Sequence, residues 1–150
     1  MLRIILSFVK EIYQSIPHRP PFLFVDEIVN ITDEKITTTR EIRENEFYFE
    51  GHYPGNPLMP GVLLCESVFQ TGAIYLKNKL SQGDDSLEGH MPILSRIKEA
   101  KFKNMVRPGD KITTEVVFKE TLSKFHFMRG TIRSKDKLVL SIDFALALIG

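Results

Sequence analysis

The stretch GVLLCESVFQTGAIYLKNKL, residues 61 to 80, constrains the fold more than any other part of the chain. Pro60 stands where a helix can begin, and no proline follows to stop it. At about 1.5 Å per residue the helix would be close to 30 Å long, about the width of a small domain. Val62, Leu63, Leu64, Val68, Phe69, Ile74 and Leu76 lie nearly all round it rather than on one stripe, the pattern of a helix enclosed on most sides. Something must wrap it.

The wrapping comes from four runs after the helix, 93 to 106, 111 to 122, 125 to 134 and 138 to 149, with period-two alternation and many β-branched or aromatic residues. In the last, Leu138, Leu140, Ile142, Phe144, Leu146 and Leu148 share one face, while Ser141 and Asp143 take the other. Pro108 and Gly109 punctuate the first two runs, and Ser134 to Lys137 make the final turn. Before the helix, Ile5, Phe8, Val9, Ile12 and Ile16 recur at three- and four-residue steps and predict a short amphipathic helix ended by Pro17, Pro20 and Pro21. Phe22 to Val29 and Lys35 to Arg43 read as two further strands. The expected fold is α+β, a long central helix wrapped by a curved antiparallel β-sheet, in one domain spanning residues 1 to 150. Such a sheet has exposed edges, so a dimer that joins sheets edge to edge is expected.

Composition narrows the function classes. Twenty Lys and Arg against nineteen Asp and Glu give a formal charge of +1, which creates no global field for nucleic acid or an anionic membrane. The amino-terminal hydrophobic run is broken by Ser7, Lys10 and Glu11, which argues against a signal peptide, and no stretch approaches the roughly 18 apolar residues of a membrane span. The single cysteine, Cys65, cannot form an intrachain disulfide, and a reducing cytoplasm is the expected location. His18, His52, His90 and His126 show no metal-ligand spacing, so no metal is expected.

The segment GHYPGNPLMPG, residues 51 to 61, holds too many glycines and prolines for a regular element and must be a fixed loop. It carries His52, and Glu66 follows on the first two turns of the long helix. Histidine is the ordinary base near neutral pH, and a carboxyl set among Val62, Leu63, Cys65 and Phe69 would be partly desolvated, which favours its neutral, proton-donating form. Glu66 equally fits a plain solvated stripe with Gln70 and Lys77 on one helical face. At the helix start the backbone amides of Gly61 and Val62 lack intrahelical acceptors and suit a thioester carbonyl that gains negative charge. Base, acid and oxyanion donors together suit β-elimination of water: His52 takes the α-proton and Glu66 protonates the leaving hydroxyl.

These residues resemble the FabZ-type 3-hydroxyacyl-acyl-carrier-protein dehydratases. The resemblance runs through IPHRPPFLFVDEIV at 16 to 29, FYFEGHYPGNPLMPGVLLCESVFQTG at 47 to 72 and AKFKNMVRPGDKITTEVVF at 100 to 118. It implies a hotdog fold and dehydration of (3R)-3-hydroxyacyl to trans-2-enoyl thioesters in fatty-acid or related lipid biosynthesis. The acyl chain would ride on the phosphopantetheine of an acyl carrier protein, with no further cofactor. It also implies a homodimer in which His52 of one subunit meets Glu66 of the other, and in some members a trimer of dimers. By the same matching Gly61 takes the carbonyl-binding place, while His18 and Arg19 fall in a motif assigned to structure. Cys65, Ser67 and Phe69 depart from the family's usual residues beside the glutamate, which makes Cys65 and Phe69 acyl-tunnel candidates.

Arg96, Lys98, Lys101, Lys103 and Arg107 fall close together. Such a run ordinarily marks a solvated strand face, and the resemblance adds the reading of a docking patch for the acidic carrier protein. Cys65 as a nucleophile is disfavoured, because an unpaired cysteine on a buried helix is usually a small core residue. Two other functions stay open: a non-catalytic carrier-protein-binding or scaffold subunit, which needs neither His52 nor Glu66, and an acyl thioesterase, which would release free acid without forming a double bond.

Overall fold

Pro60 leads into α2 (Gly61–Leu80), which runs unbroken for 20 residues, as its proline-free sequence predicts. The structure is a computed structural model that describes residues 2–83 and 88–150, with side chains of the first helix described from Phe8 onward. Around α2 the chain forms α1 (Leu2–Ser15), β1 (Glu27–Ile31), β2 (Lys35–Glu41), a 3-10 turn at Phe47–Phe49, β3 (Met91–Phe102), β4 (Lys111–Leu122), β5 (Phe125–Ser134) and β6 (Lys137–Ile149). The strands make one antiparallel sheet in the order β1-β2-β4-β5-β6-β3, with α2 against it: the hotdog fold expected from the sequence. Among the described residues no helix is long and apolar enough to cross a membrane.

Alternation sets which face of the sheet meets α2. In β5 His126, Met128, Gly130, Ile132 and Ser134 are buried while the residues between them are not, and β4 buries Ile112, Thr114 and Val116 in the same rhythm. Lys135 and Asp136 make the β5–β6 turn with φ of 51° and 62°, the two-residue geometry that matches strand twist. The middle of α2, Leu64 to Leu76 apart from Glu66, is buried, as an apolar helix wrapped by a sheet must be. Val62 at its first turn is 76% exposed, so enclosure does not reach the helix start.

Phe22 to Val29 is not the strand its apolar character suggests; the ladder begins only at Glu27. The reason lies in its backbone partners. The Phe24 amide donates to Gln70 Oε1 at 2.8 Å, its carbonyl accepts from Ser67 Oγ at 2.9 Å, and the Phe22 carbonyl accepts from Gln70 Nε2 at 3.1 Å. Two polar side chains of α2 take the backbone groups of Phe22 and Phe24, so no ladder forms there, and pairing to β2 starts only with the Asp26 amide. The expected strands at 35 to 43 and 93 to 106 end at Glu41 and Phe102: past them Ile42 bonds the turn at Gly109 and Asp110, and the Val106 carbonyl accepts from the Met59 amide of the 51–60 loop. α1 forms where predicted but follows its expected periodicity only in part: Ile12, and Ile16 just past its end, are buried, Phe8 is half-buried and Val9 is exposed, while the side chain of Ile5 lies outside the described residues.

Candidate active site

His52 is fixed from both sides of its loop. Its amide donates to the Tyr48 carbonyl at 3.0 Å, and its Nδ1 lies 2.6 Å from the Leu58 carbonyl oxygen. A carbonyl can only accept, so Nδ1 carries the ring proton and Nε2 presents a lone pair, the form a general base requires. Tyr53, with φ of 56°, stacks edge-on against the imidazole at 4.7 Å between centroids. The loop is tied down at its far end: the Met59 amide donates to the Val106 carbonyl at 2.9 Å, and Arg107 Nη1 reaches Asn56 Oδ1 at 2.7 Å and the Pro57 carbonyl at 3.3 Å.

Upstream, the segment that leads to this loop rests on buried charge. Arg40 donates to Asp26 Oδ1 at 3.0 Å and to both oxygens of Glu46 at 2.8 and 2.9 Å. Asp26 Oδ2 also accepts from the Glu41 amide at 2.8 Å. Such a pair is costly to break, because removal of one partner strands the other in a low-dielectric setting.

Glu66 stands on the second turn of α2, partly shielded, with Oε1 3.2 Å from Gln70 Nε2 and 3.5 Å from His18 Nε2. The stripe of Glu66, Gln70 and Lys77 is therefore no solvated face: Gln70 is 1% exposed and its amide is spent on Phe22, Phe24 and Glu66. Among the described residues His18 is the one basic side chain within 4 Å of Glu66. The fold thus does not bring His52 to Glu66 within one chain, while His18, read from its motif as structural, stands beside the carboxylate. Its only sequence signal was the HRPP motif itself.

At the helix start the Leu63 and Leu64 amides donate to the Pro60 carbonyl at 3.0 and 3.1 Å. The preceding amides, of Gly61 and Val62, lie ahead of the first bonds and are the available donors. A Cβ at Gly61 would fall 2.9 Å from Phe102 Cε1, so glycine here lets the Phe102 ring lie across the helix start. Phe102 was not singled out from the sequence; only its proximity in three dimensions reveals it.

Cys65 and Phe69 both face inward. Burial pushes the Cys65 thiol above its ordinary pKa, which disfavours the thiolate that a nucleophile needs. Phe69 packs at a tilt against Phe144, with centroids 5.2 Å apart. The basic run divides: Arg107 is committed to the loop, Lys101 pairs with Glu99 at 3.2 Å, and Lys103 is exposed. Arg96 and Lys98 line a surface hollow of about 280 Å³ with Lys119, Arg129 and Asp143. The bonds from Arg129, at 2.6 and 3.0 Å, hold the Asp143 carboxyl below the usual carboxylate range.

The comparisons with known proteins bear on the family and the fold. Residues 16–143 match the FabA-like domain family. A FabZ 3-hydroxyacyl-acyl-carrier-protein dehydratase of Clostridium perfringens is 35% identical over 140 residues, covering 93% of this chain and 97% of that protein. Its namesake in Levilactobacillus brevis is 37% identical over 134 residues, covering 89% and 87%. Among solved structures, the dehydratase heterocomplex ApeI:P from Xenorhabdus doucetiae superposes with a TM-score of 0.77 at 11% identity, over 93% of this chain and 91% of that one. A hypothetical thioesterase with coenzyme A from Streptococcus pneumoniae gives 0.62 at 14% identity, over 97% of each chain. At such identities these two speak for the fold alone. Sequence identity across nearly the whole chain places it in a family: the chain belongs to the FabZ-type 3-hydroxyacyl-acyl-carrier-protein dehydratases.

Proposed function

We propose that the chain dehydrates 3-hydroxyacyl thioesters carried on acyl carrier protein, giving trans-2-enoyl thioesters in fatty-acid or related lipid synthesis. The observation that carries the reading, beside the family, is the His52 imidazole held with Nδ1 on a carbonyl, which leaves Nε2 to act as the base. That nitrogen removes the α-proton, and the electron pair of the C–H bond moves through an enolate-like state to form the double bond. The Gly61 and Val62 amides hold the thioester oxygen as it gains charge. The C–O bond breaks as the β-hydroxyl takes the proton of Glu66, and water leaves. A proton passing from His52 back to Glu66 resets the pair. The chemistry is acid-base throughout, and we read it as needing no metal or redox cofactor.

The site is assembled, in this reading, from His52 of one subunit and Glu66 of its partner in a homodimer. β3 supports it: among the described residues this strand pairs on one side only, with β6, and it exposes Met91, Ile93, Leu94, Ile97 and Phe102. An unpaired edge with that much apolar surface is what a second copy would cover. The carrier protein, acidic by nature of the resemblance, would dock by Arg96, Lys98 and Lys103, with Lys101 and Arg107 lending less because each is already engaged. A trimer of dimers is compatible with this arrangement, and we assign the enzyme to the cytoplasm.

The test is conversion of a 3-hydroxyacyl carrier-protein thioester followed by mass spectrometry. Loss of one water with the thioester intact is the expected result. Free acid and free thiol instead would make the protein a thioesterase. No conversion at any chain length by a folded dimer would make it a scaffold.

Phe69 bears on chain length. If the tunnel runs along this side of α2, the Phe69 ring against Phe144 forms its end wall. Phe69→Ala is then expected to raise kcat/KM for a substrate two carbons longer than the parent's optimum by about tenfold. An unchanged profile across a chain-length series would place the tunnel elsewhere.

A further inference from the structure

We propose that Gln70 and His18 are positioning residues that confine the acidic proton of Glu66 to its Oε2 oxygen, so that a single oxygen of the carboxyl faces the leaving hydroxyl. The inference rests on the reading of Glu66 as the acid and adds to it which atom acts and what decides this.

Gln70 makes the argument. Its amide orientation is settled by its neighbours: the Phe24 amide is a donor at 2.8 Å and requires the carbonyl Oε1, while the Phe22 carbonyl at 3.1 Å requires the NH2 group. Nε2 therefore points its second hydrogen at Glu66 Oε1, 3.2 Å away. It can only donate there. A carboxyl proton on Oε1 would compete with that N–H for the same space, so the neutral acid carries its proton on Oε2.

His18 strengthens the same bias. Its Nδ1 is buried and meets no hydrogen-bond partner among the described residues, whereas Nε2 stands 3.5 Å from Glu66 Oε1. A ring proton at Nδ1 would be stranded, while at Nε2 it faces a carboxylate oxygen. The distance is longer than a formed hydrogen bond, and catalytic contacts of this kind tighten when substrate closes the site. The loop that carries His18 is held by Arg19, whose guanidinium donates to the carbonyls of Tyr13, Ile16 and His18 itself at 3.0, 2.9 and 2.7 Å and lies over the Tyr13 ring. After proton transfer, the two donors on Oε1 stabilise the carboxylate left behind, so they act in the protonation step and not in substrate binding.

The experiment compares the parent with His18→Leu and His18→Gln in the dehydration assay, with thermal midpoints measured alongside. His18→Leu is expected to lower kcat about tenfold with KM and the midpoint unchanged, and His18→Gln, whose amide can donate from nearly the same place, to recover most of the loss. Equal kcat in all three, or a loss in both variants that tracks a falling midpoint, overturns the proposal for His18. The cradle is also read without turnover. Nitrogen-15 shifts of the His18 ring should show the proton on Nε2, and one Gln70 side-chain amide proton should move in Glu66→Ala while the one held by Phe22 stays. Protonation at Nδ1, or two unmoved amide protons, overturns it. A parent that performs no dehydration leaves these spectra to decide the cradle and instead removes the assignment of function.

Discussion

His52→Ala and Glu66→Ala, each inactive alone, should together restore dehydration when their subunits are exchanged. Each single variant is expected to lose about a thousandfold in kcat, the scale of removing a positioned general base or acid. In an equal mixture of freely exchanging subunits, half the dimers carry one of each variant. If each site takes His52 from one chain and Glu66 from the other, such a dimer holds one intact site and one doubly broken site. The mixture should then show about one quarter of the parent's activity. The physical ground is within the single chain: His52 is tied to Leu58, and Glu66 to Gln70 and His18. No recovery, in a mixture shown by native mass spectrometry to have exchanged, would mean that both residues act within one subunit or that one of them does not act at all. His18→Leu makes the matching control. It lies on the Glu66 chain, so it should lower the recovered activity only when placed on the chain that supplies Glu66, the one carrying His52→Ala.

Much of this site was legible because its residues sit close in sequence. The loop of 51 to 60 could be nothing regular, α2 had no proline to interrupt it, and Glu66 followed within two turns of the helix start. β5 and the first half of β4 were legible for a similar reason, since alternation shows which side of a strand is buried, whereas β6 buries Val139, Ala145 and Ala147 as well as its predicted face. What sequence patterning missed depends on polar side chains that serve distant backbone. Gln70 looks like one member of a solvated helical stripe, yet it is buried because it replaces a strand partner for Phe22 and Phe24. The same substitution made Phe22 to Val29 look like a strand: its apolar content reports burial faithfully, but not which groups take its hydrogen bonds. His18 could not be placed beside Glu66 from spacing, because 48 residues separate them and only the packing of that segment on α2 closes the gap.

Gly130→Ala should destabilise the protein by about 3 kcal/mol, at the upper end of the cost of overpacking a filled core. A Cβ at Gly130 would fall far inside contact distance of Val68 Cγ1, at the place where β5 passes under α2. Val68 is fully buried and β-branched, so its χ1 has little room to turn away. Either the helix lifts from the sheet or the strand moves out, and both loosen the helix that carries Glu66 two residues before Val68. Val68→Ala alone should cost about 2 kcal/mol through the cavity it leaves. The double variant is the decisive one: the added methyl then occupies the space the valine vacated, so the two costs should fall short of their sum by about 2 kcal/mol. Denaturant unfolding at fixed protomer concentration measures all three, since the stability of the proposed dimer would vary with concentration. Additive losses would mean that the strand yields independently of Val68, and that the close approach at Gly130 is not what sets the seat of α2 on the sheet.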